Sequence, residues 1–335
     1  MTVRVGVIGV GLMGSDHARI IAGEVSGAEV VSIYDFDVAR AKAIASEVGA
    51  KTVADSPEDL IADKGVDAIV IASPDDTHAH LTLSALAVHK PILCEKPLAP
   101  SSRECLEVVA AEVKLGKRLA HVGFMRRYDP SYVAMREKRN SGEFGAALMF
   151  HCVHRNVSAP HFFTSDMAIA NSAPHEFDIV RFVLDSDVTD ITVFQPEAAT
   201  TGALVKPVFM VMRTASGALI DVEIHNNAGY GYDVKGELVC EHGTVSLRPP
   251  VHSEINAALS HSTAFPADHR PRFAGAYRLQ NQAWVRAIAA GGHLTDGSSA
   301  WDGYVATLTA EAGLRSLAEG KTVKIEMAIK PQLYV

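Results

Sequence analysis

The chain has 335 residues, a length for about two domains. It is 48% hydrophobic and 21% charged, the composition of a folded protein with a core, and its net charge is -8 at pH 7. That acidic balance argues against nucleic acid or an anionic membrane as partner, and no apolar run reaches the roughly 18 residues of a membrane helix.

The chain runs from Met1 straight into an apolar strand, "VRVGVIG" (3–9), with no cleavable signal pattern. A helix is predicted from about 13 to 25, then a strand "AEVVSIYD" (28–35), a helix over 38–48 and a short strand near Thr52. In "SPEDL" Ser56 can cap a helix, Pro57 suits its first position and Asp59 lies three residues after the cap. The strand "VDAIVIAS" (66–73), a helix over 77–89, the strand "PILCEK", a helix over 102–115 and the strand "RLAHVGF" (118–124) complete the alternation. Strands alternating with helices predict an α/β domain with a parallel sheet covered on both faces. The four cysteines are scattered and form no CxxC pair, so they read as free thiols in a reducing cytoplasm.

The first turn, "GVGLMG", fits G-x-G-x-x-G in the right setting, after an apolar strand and before a helix. Gly9 allows the tight turn, Gly11 lets a pyrophosphate approach the backbone, and Gly14 lets helix and strand pack closely. Leu12 and Met13 lie between them, at a helix N-terminus that favours phosphate. The second strand ends at Asp35. A carboxylate there accepts hydrogen bonds from ribose hydroxyls and repels a 2′-phosphate, which predicts NAD over NADP.

Beyond the sixth strand, "GFMRRYDP" (123–130) reads as the join between an NAD-binding Rossmann domain, 1–122, and a second domain, 123–335. After a helix near 131–140 come "AALMFHCVHRN", "VTDITVFQ", "KPVFMVMRT", "GALIDVEIHNN", "YDVKGELVCEHG" and "TVSLRP", strands without intervening helices. They predict an α+β domain with a largely antiparallel open sheet, one face covered by helices. Two late helices are expected near 274–290 and 302–319. In "NSAPHEFDIVRFVLD" a helix is predicted to begin near Ser172, with Asn171 or Ser172 as N-cap and Pro174 in its first turn. His175 then lies at the positive end of that helix, which disfavours a charged imidazole and leaves a ring able to accept a proton.

The Rossmann half, "SPDDTHAH" (73–80), "CEKP" (94–97), "GFMRRYDP" and "NSAPHEFD" (171–178) together resemble the Gfo/Idh/MocA oxidoreductase family over nearly the whole chain. The last two motifs narrow the resemblance toward its inositol dehydrogenases. The resemblance implies that NAD oxidises a ring hydroxyl of a small polyhydroxylated substrate, and that Ser73, Pro74, His78 and Glu95 line the cofactor. It gives Lys96 contact with the reacting hydroxyl, where its charge stabilises a developing alkoxide, and makes His175 the general base. Arg126, His154, Asn156 and Tyr232 fall where the family contacts substrate hydroxyls, and the free sheet face is where it assembles tetramers. The bland alternatives are a Lys96–Glu95 pair, a structural His175 and a Tyr232 that only packs. His78 and His80 lack a third ligand at a convincing spacing, so no metal is expected.

One residue departs from the pattern. Asn171 stands where the inositol dehydrogenases usually carry Asp, four residues before the catalytic histidine. An amide can orient an imidazole but cannot stabilise imidazolium with a charge. Either the base is tuned differently or the substrate differs. The alternatives to a polyol dehydrogenase are therefore a pyranose dehydrogenase of the same family and an NAD(H)-binding sensor without turnover.

Overall fold

The computed structural model describes residues 2–197, 205–248, 254–291 and 297–335. The chain divides into two compact units: residues 1–128, 275–307 and 328–335 form the first, and 129–274 and 308–327 the second.

In unit 1, β1 (Val3–Ile8), β2 (Ala28–Tyr34), β3 (Thr52–Val53), β4 (Ala68–Ile71), β5 (Ile92–Cys94) and β6 (Ala120–Val122) form one parallel sheet in the order β3-β2-β1-β4-β5-β6. Between them run α1 (Leu12–Glu24), α2 (Val38–Val48), α3 (Pro57–Ala62), α4 (His78–Ala87) and α5 (Ser102–Leu115). The strands are mostly apolar because helices cover both faces: Val5, Val7, Ile69, Val70 and Ile92 are fully buried. The start signal at Ser56 is used as predicted, its side chain accepting from the Asp59 N–H with Pro57 at the first helical position. The strand order reverses between β1 and β4, and ligands in such sheets bind outside the carboxyl ends at that point. Gly9, Ser73 and Lys96 follow the ends of β1, β4 and β5.

Unit 2 holds α6 (Pro130–Ser141), a strand β7 (Ala147–Arg155), a short α7 (Ser165–Met167), α8 (Pro174–Leu184), then β8 (Val188–Phe194), β9 (Val208–Thr214), β10 (Leu219–His225), β11 (Asp233–Cys240) and β12 (Gly243–Ser246). With β15 (Val323–Lys324) these strands form a seven-stranded sheet in the order β12-β11-β7-β10-β9-β8-β15. All its pairs are antiparallel except β7 with β10, which run parallel. In a separate hairpin, β13 (Glu254–Ala257) with β14 (Ser260–Thr263), the second strand lacks the apolar alternation that would have announced it. One face of the large sheet is buried, by Phe150 and Cys152 on β7, Val222 and Ile224 on β10 and Met210 on β9; α8 contributes the buried Phe177, Val180 and Val183. The other face exposes Met149, Phe194, Phe209 and Leu219.

The late helices, α9 (His269–Ala289) and α10 (Ala300–Glu319), alter the expected division at residue 122. The first stretch of unit 1 runs on to Tyr128, and the chain returns to unit 1 just after Phe273, where α9 kinks. The reason is packing. Trp284 and Val285 of α9 join the core formed by β1, β2, α1 and α2. Gln282 accepts from the Ser26 N–H and donates to the Ser26 carbonyl, holding the loop that follows α1. At the end of the chain the Tyr334 hydroxyl donates to the buried carboxylate of Glu112 on α5.

A second difference concerns α8. Neither Asn171 nor Ser172 caps it. The chain is already helical through Ala168–Ser172, in a wide turn closed by the Ala173 N–H on the Ala168 carbonyl. Ala173 itself is helical, whereas a capping residue must be extended. His175 therefore sits inside a continuous helical stretch rather than at a bare positive end.

Candidate active site

A cavity of about 710 Å³ opens beside the carboxyl ends of β1, β2 and β4, lined by Gly9, Gly11, Asp35, Phe36, Arg40 and Ser73 among others. The glycines fit the roles their spacing predicts. Gly9 has φ +82°, and a Cβ there would lie 2.5 Å from the Ser73 nitrogen. A Cβ on Gly14 would meet the Gly9 carbonyl oxygen at 1.8 Å, whereas one on Gly11 would meet nothing. The protein thus leaves open the one position where a pyrophosphate must reach the backbone. Helix α1 begins there with no side-chain cap and no acidic residue in its first turn, so its N–H groups are left for an anion. Leu12 is exposed in that turn and Met13 is half-buried. These residues fit a dinucleotide.

Asp35 has a second task that the sequence did not show. Its carboxylate accepts from the Val10 N–H at 2.7 Å, from the Asp37 N–H at 2.9 Å and from Arg40 at 2.6 Å. It braces the glycine turn from β2. Burial pushes this carboxyl up, but Arg40 and the two backbone donors outweigh burial and hold it below the usual carboxylate range. Arg40 also stacks over the exposed Phe36 ring at 5.2 Å. Its signal in the sequence was a basic residue in the first turn of α2, which is unremarkable alone.

Lys96 lies two residues beyond the end of β5 and is half-buried. The Glu95 side chain does not reach into the cleft as expected for a cofactor contact. It turns inward, accepts the Lys96 N–H at 3.2 Å and bonds His17 of α1 at 2.8 Å. The other His17 nitrogen meets Asn281 of α9 at 3.2 Å. Burial raises the Glu95 carboxyl, and His17, aided by Lys96, overcomes this to hold it below its ordinary value. These contacts hold the strand end and give the buried carboxylate the partners it needs. His78 is likewise no open cofactor contact. It is 1% exposed and both ring nitrogens face backbone carbonyls.

In unit 2, His154 stands on β7, with its Nδ1 3.2 Å from Glu176 of α8, both nearly fully buried. The Tyr232 ring, 3% exposed, meets His154 edge-on at 5.7 Å between centroids. Asn156 at the end of β7 donates to Asn226 just beyond β10, and Ser172 donates to the same oxygen at 3.2 Å. The network joins the end of the sheet to the wide turn that carries Asn171, four residues before His175. Asn171 and His175 are both half-buried. Glu176 and Asn226 were missed in the sequence, since only the fold brings β7, β10 and α8 together. Arg126 lies in a single helical turn of unit 1 and is 1% exposed. Among the described residues no group of three or more His, Cys, Asp or Glu could hold a metal ion.

The open cradle at Gly11 and the lysine beyond it, at the next strand end but one, give unit 1 the build of an NAD-binding oxidoreductase. Residues 3–124 match the family described as "Oxidoreductase family, NAD-binding Rossmann fold", and residues 132–246 match the "GFO/IDH/MocA C-terminal domain". The chain belongs to the Gfo/Idh/MocA oxidoreductase family. It is 50% identical over 337 residues to inositol 2-dehydrogenase 1 of Saccharopolyspora erythraea, covering 100% of this chain and 99% of that one. It is 45% identical to inositol 2-dehydrogenase 2 of Paenarthrobacter aurescens, covering 97% and 99%. Among solved structures, the myo-inositol dehydrogenase of Lactobacillus casei, in complex with NAD(H) and myo-inositol, superposes with a TM-score of 0.95 at 33% identity, covering 100% of both chains.

Proposed function

We propose that this protein is an NAD-dependent inositol dehydrogenase, oxidising one ring hydroxyl of a cyclic polyol to the ketone. The observation that carries the reading is the full-length 50% identity to an inositol 2-dehydrogenase, in a chain that keeps the glycine cradle, Asp35, Lys96 and His175. NAD, when bound, accepts the hydride. Lys96 holds the reacting oxygen and stabilises the negative charge that grows on it. His175 takes the hydroxyl proton, a step suited to an imidazole near neutral pH. His154, fixed by Glu176, together with Asn156, Arg126 and Tyr232, orients the remaining hydroxyls. The test is a screen of the purified protein with NAD against inositol isomers and common sugars, read as NADH absorbance. Turnover of an inositol supports the reading. Turnover of pyranoses alone would move it to a sugar dehydrogenase, which Asn171 favours, and NADH binding without any turnover to a sensor.

Cofactor preference gives a separate test. NAD is expected over NADP, because Asp35 repels a 2′-phosphate. Asp35→Ser removes that repulsion and releases Arg40, already 2.6 Å away, to meet the phosphate. One charge-assisted hydrogen bond of about 1.5–3 kcal/mol corresponds to roughly 10- to 100-fold in the NADP to NAD ratio of kcat/KM. An unchanged ratio in the variant would show that Arg40 does not face the ribose.

We also read the outer face of the large sheet as the surface of a homotetramer. Met149 pairs with Leu219 across β7 and β10, and Phe194 with Phe209 across β8 and β9, which leaves apolar side chains exposed on paired strands. A sedimentation mass of one chain would exclude this. The four free, buried thiols suit a reducing cytoplasm, and fractionation of cells tests that placement.

A further inference from the structure

We propose that His78 is held as an imidazolium and that this buried cation positions Lys96, tying the turn after β4 to the turn after β5. The inference deepens the role given to Lys96 above and rests on that reading for its functional half alone.

The geometry leaves the ring little choice. Its Nδ1 lies 2.7 Å from the Pro97 carbonyl oxygen, and its Nε2 lies 2.9 Å from the Ser73 carbonyl oxygen. A carbonyl only accepts. A neutral imidazole has one N–H, so either tautomer would set a bare nitrogen lone pair against a carbonyl lone pair. The residue is 1% exposed, so no water takes up the mismatch from bulk solvent. Only the doubly protonated ring satisfies both contacts.

A buried cation also needs opposing charge. The start of α4 does not supply it, because a helix N-terminus is positive. The Asp75 carboxylate in the turn after β4 supplies that charge, and the Cys94 sulfur on β5, a neutral thiol that donates to the Glu95 carbonyl, adds an acceptor beside the ring. Burial opposes the charge, but Cys94, the Pro97 carbonyl and Asp75 outweigh it and push the pKa up to about 10.

The two carbonyls locate the consequence. Ser73 lines the dinucleotide cavity, where its hydroxyl bonds Thr77. Pro97 is the residue after Lys96. One rigid ring thus fixes the spacing between the cavity wall and the backbone that carries the lysine. On the other side of Lys96, Glu95 is fixed by His17. A charged ring donating two bonds holds such a spacing more firmly than neutral contacts do.

The test uses the full chain labelled with 15N-histidine. Two-bond proton–nitrogen correlations are recorded at about two pH units above the ordinary imidazole value near 6.5. One ring should still carry protons on both nitrogens, and its signals should be missing from His78→Gln. If every ring is singly protonated there, the charge is overturned. This arm reads no turnover, so it stands or falls apart from the substrate and the role of Lys96. For positioning, His78→Phe keeps a ring without donors. It is expected to lower kcat on the order of 10²-fold while NADH affinity by fluorescence and KM for NAD change little. His78→Gln, whose amide has two N–H groups, should recover part of the loss. Wild-type kcat in His78→Phe overturns the positioning role. If that variant does not fold, His78→Asn serves, since its short amide reaches one carbonyl at most, and wild-type kcat there overturns the role equally.

Discussion

Lys96→Ala is expected to reduce kcat on the order of 10²-fold or more while NADH binding stays close to wild type. The lysine lies outside the glycine cradle and the Asp35 brace, so the groups that hold the dinucleotide remain. What the variant loses is a cation at the strand end where charge develops on the substrate oxygen, and that interaction strengthens only as the hydride leaves. Lys96→Arg should recover little, because a planar fork does not replace a compact ammonium at one oxygen. Single-turnover NADH formation, set beside a fluorescence titration of NADH, separates the two effects. A near-normal kcat in Lys96→Ala would reject the catalytic assignment and leave Lys96 as a partner of Glu95.

His175→Gln is expected to cost about 10²- to 10⁴-fold in kcat, the usual range for removing a general base. The acidic limb of the kcat/KM profile should vanish with it. If the limb persists in the variant, another group is the base. The companion change is Asn171→Asp. Because the chain is helical from Ser165 onward, His175 does not meet an uncapped helix pole, and its proton affinity depends more on what lies beside it. A carboxylate four residues earlier favours imidazolium and raises the pKa of the base. The base works as the neutral ring, so activity then falls away at a higher pH on the acid side. Superimposed profiles would mean that Asn171 does not touch the mechanism.

The alternation of apolar runs and helical segments was enough to read unit 1 in order from the sequence, because its central strands are buried on both faces and helices such as α2 and α5 carry local stop signals, Gly49 and Gly116. The glycine turn and Asp35 were legible for a similar reason: their roles depend on backbone conformation and on neighbours close in the chain. The partners that fix the site were not. His17 reaches Glu95 across 78 positions, Asn281 reaches His17 across 264, and Glu176 meets His154 only because α8 packs on β7. The supposed cap at Asn171 failed because the preceding residues widen the helix instead of ending it, and nothing in "AIANSAP" marks a wide turn. Parallel pairing of β7 with β10 was hidden likewise, since alternation reports which face is buried and not which strand lies alongside.

The return of the chain to unit 1 limits how this protein can be recombined. A fragment ending at Tyr128 would contain the glycine turn, Asp35 and Ser73 and still lack part of its own interior. The seat of Trp284 would open to water, the loop at Ser26 would lose both bonds from Gln282, and His17 would lose Asn281. Exchanging cofactor specificity between relatives by swapping N-terminal halves would therefore join each half to foreign packing. A graft has to carry residues 275–307 and the final stretch to Val335 along with the first 128. The first 128 residues and the last stretches of the chain therefore have to be exchanged as one piece.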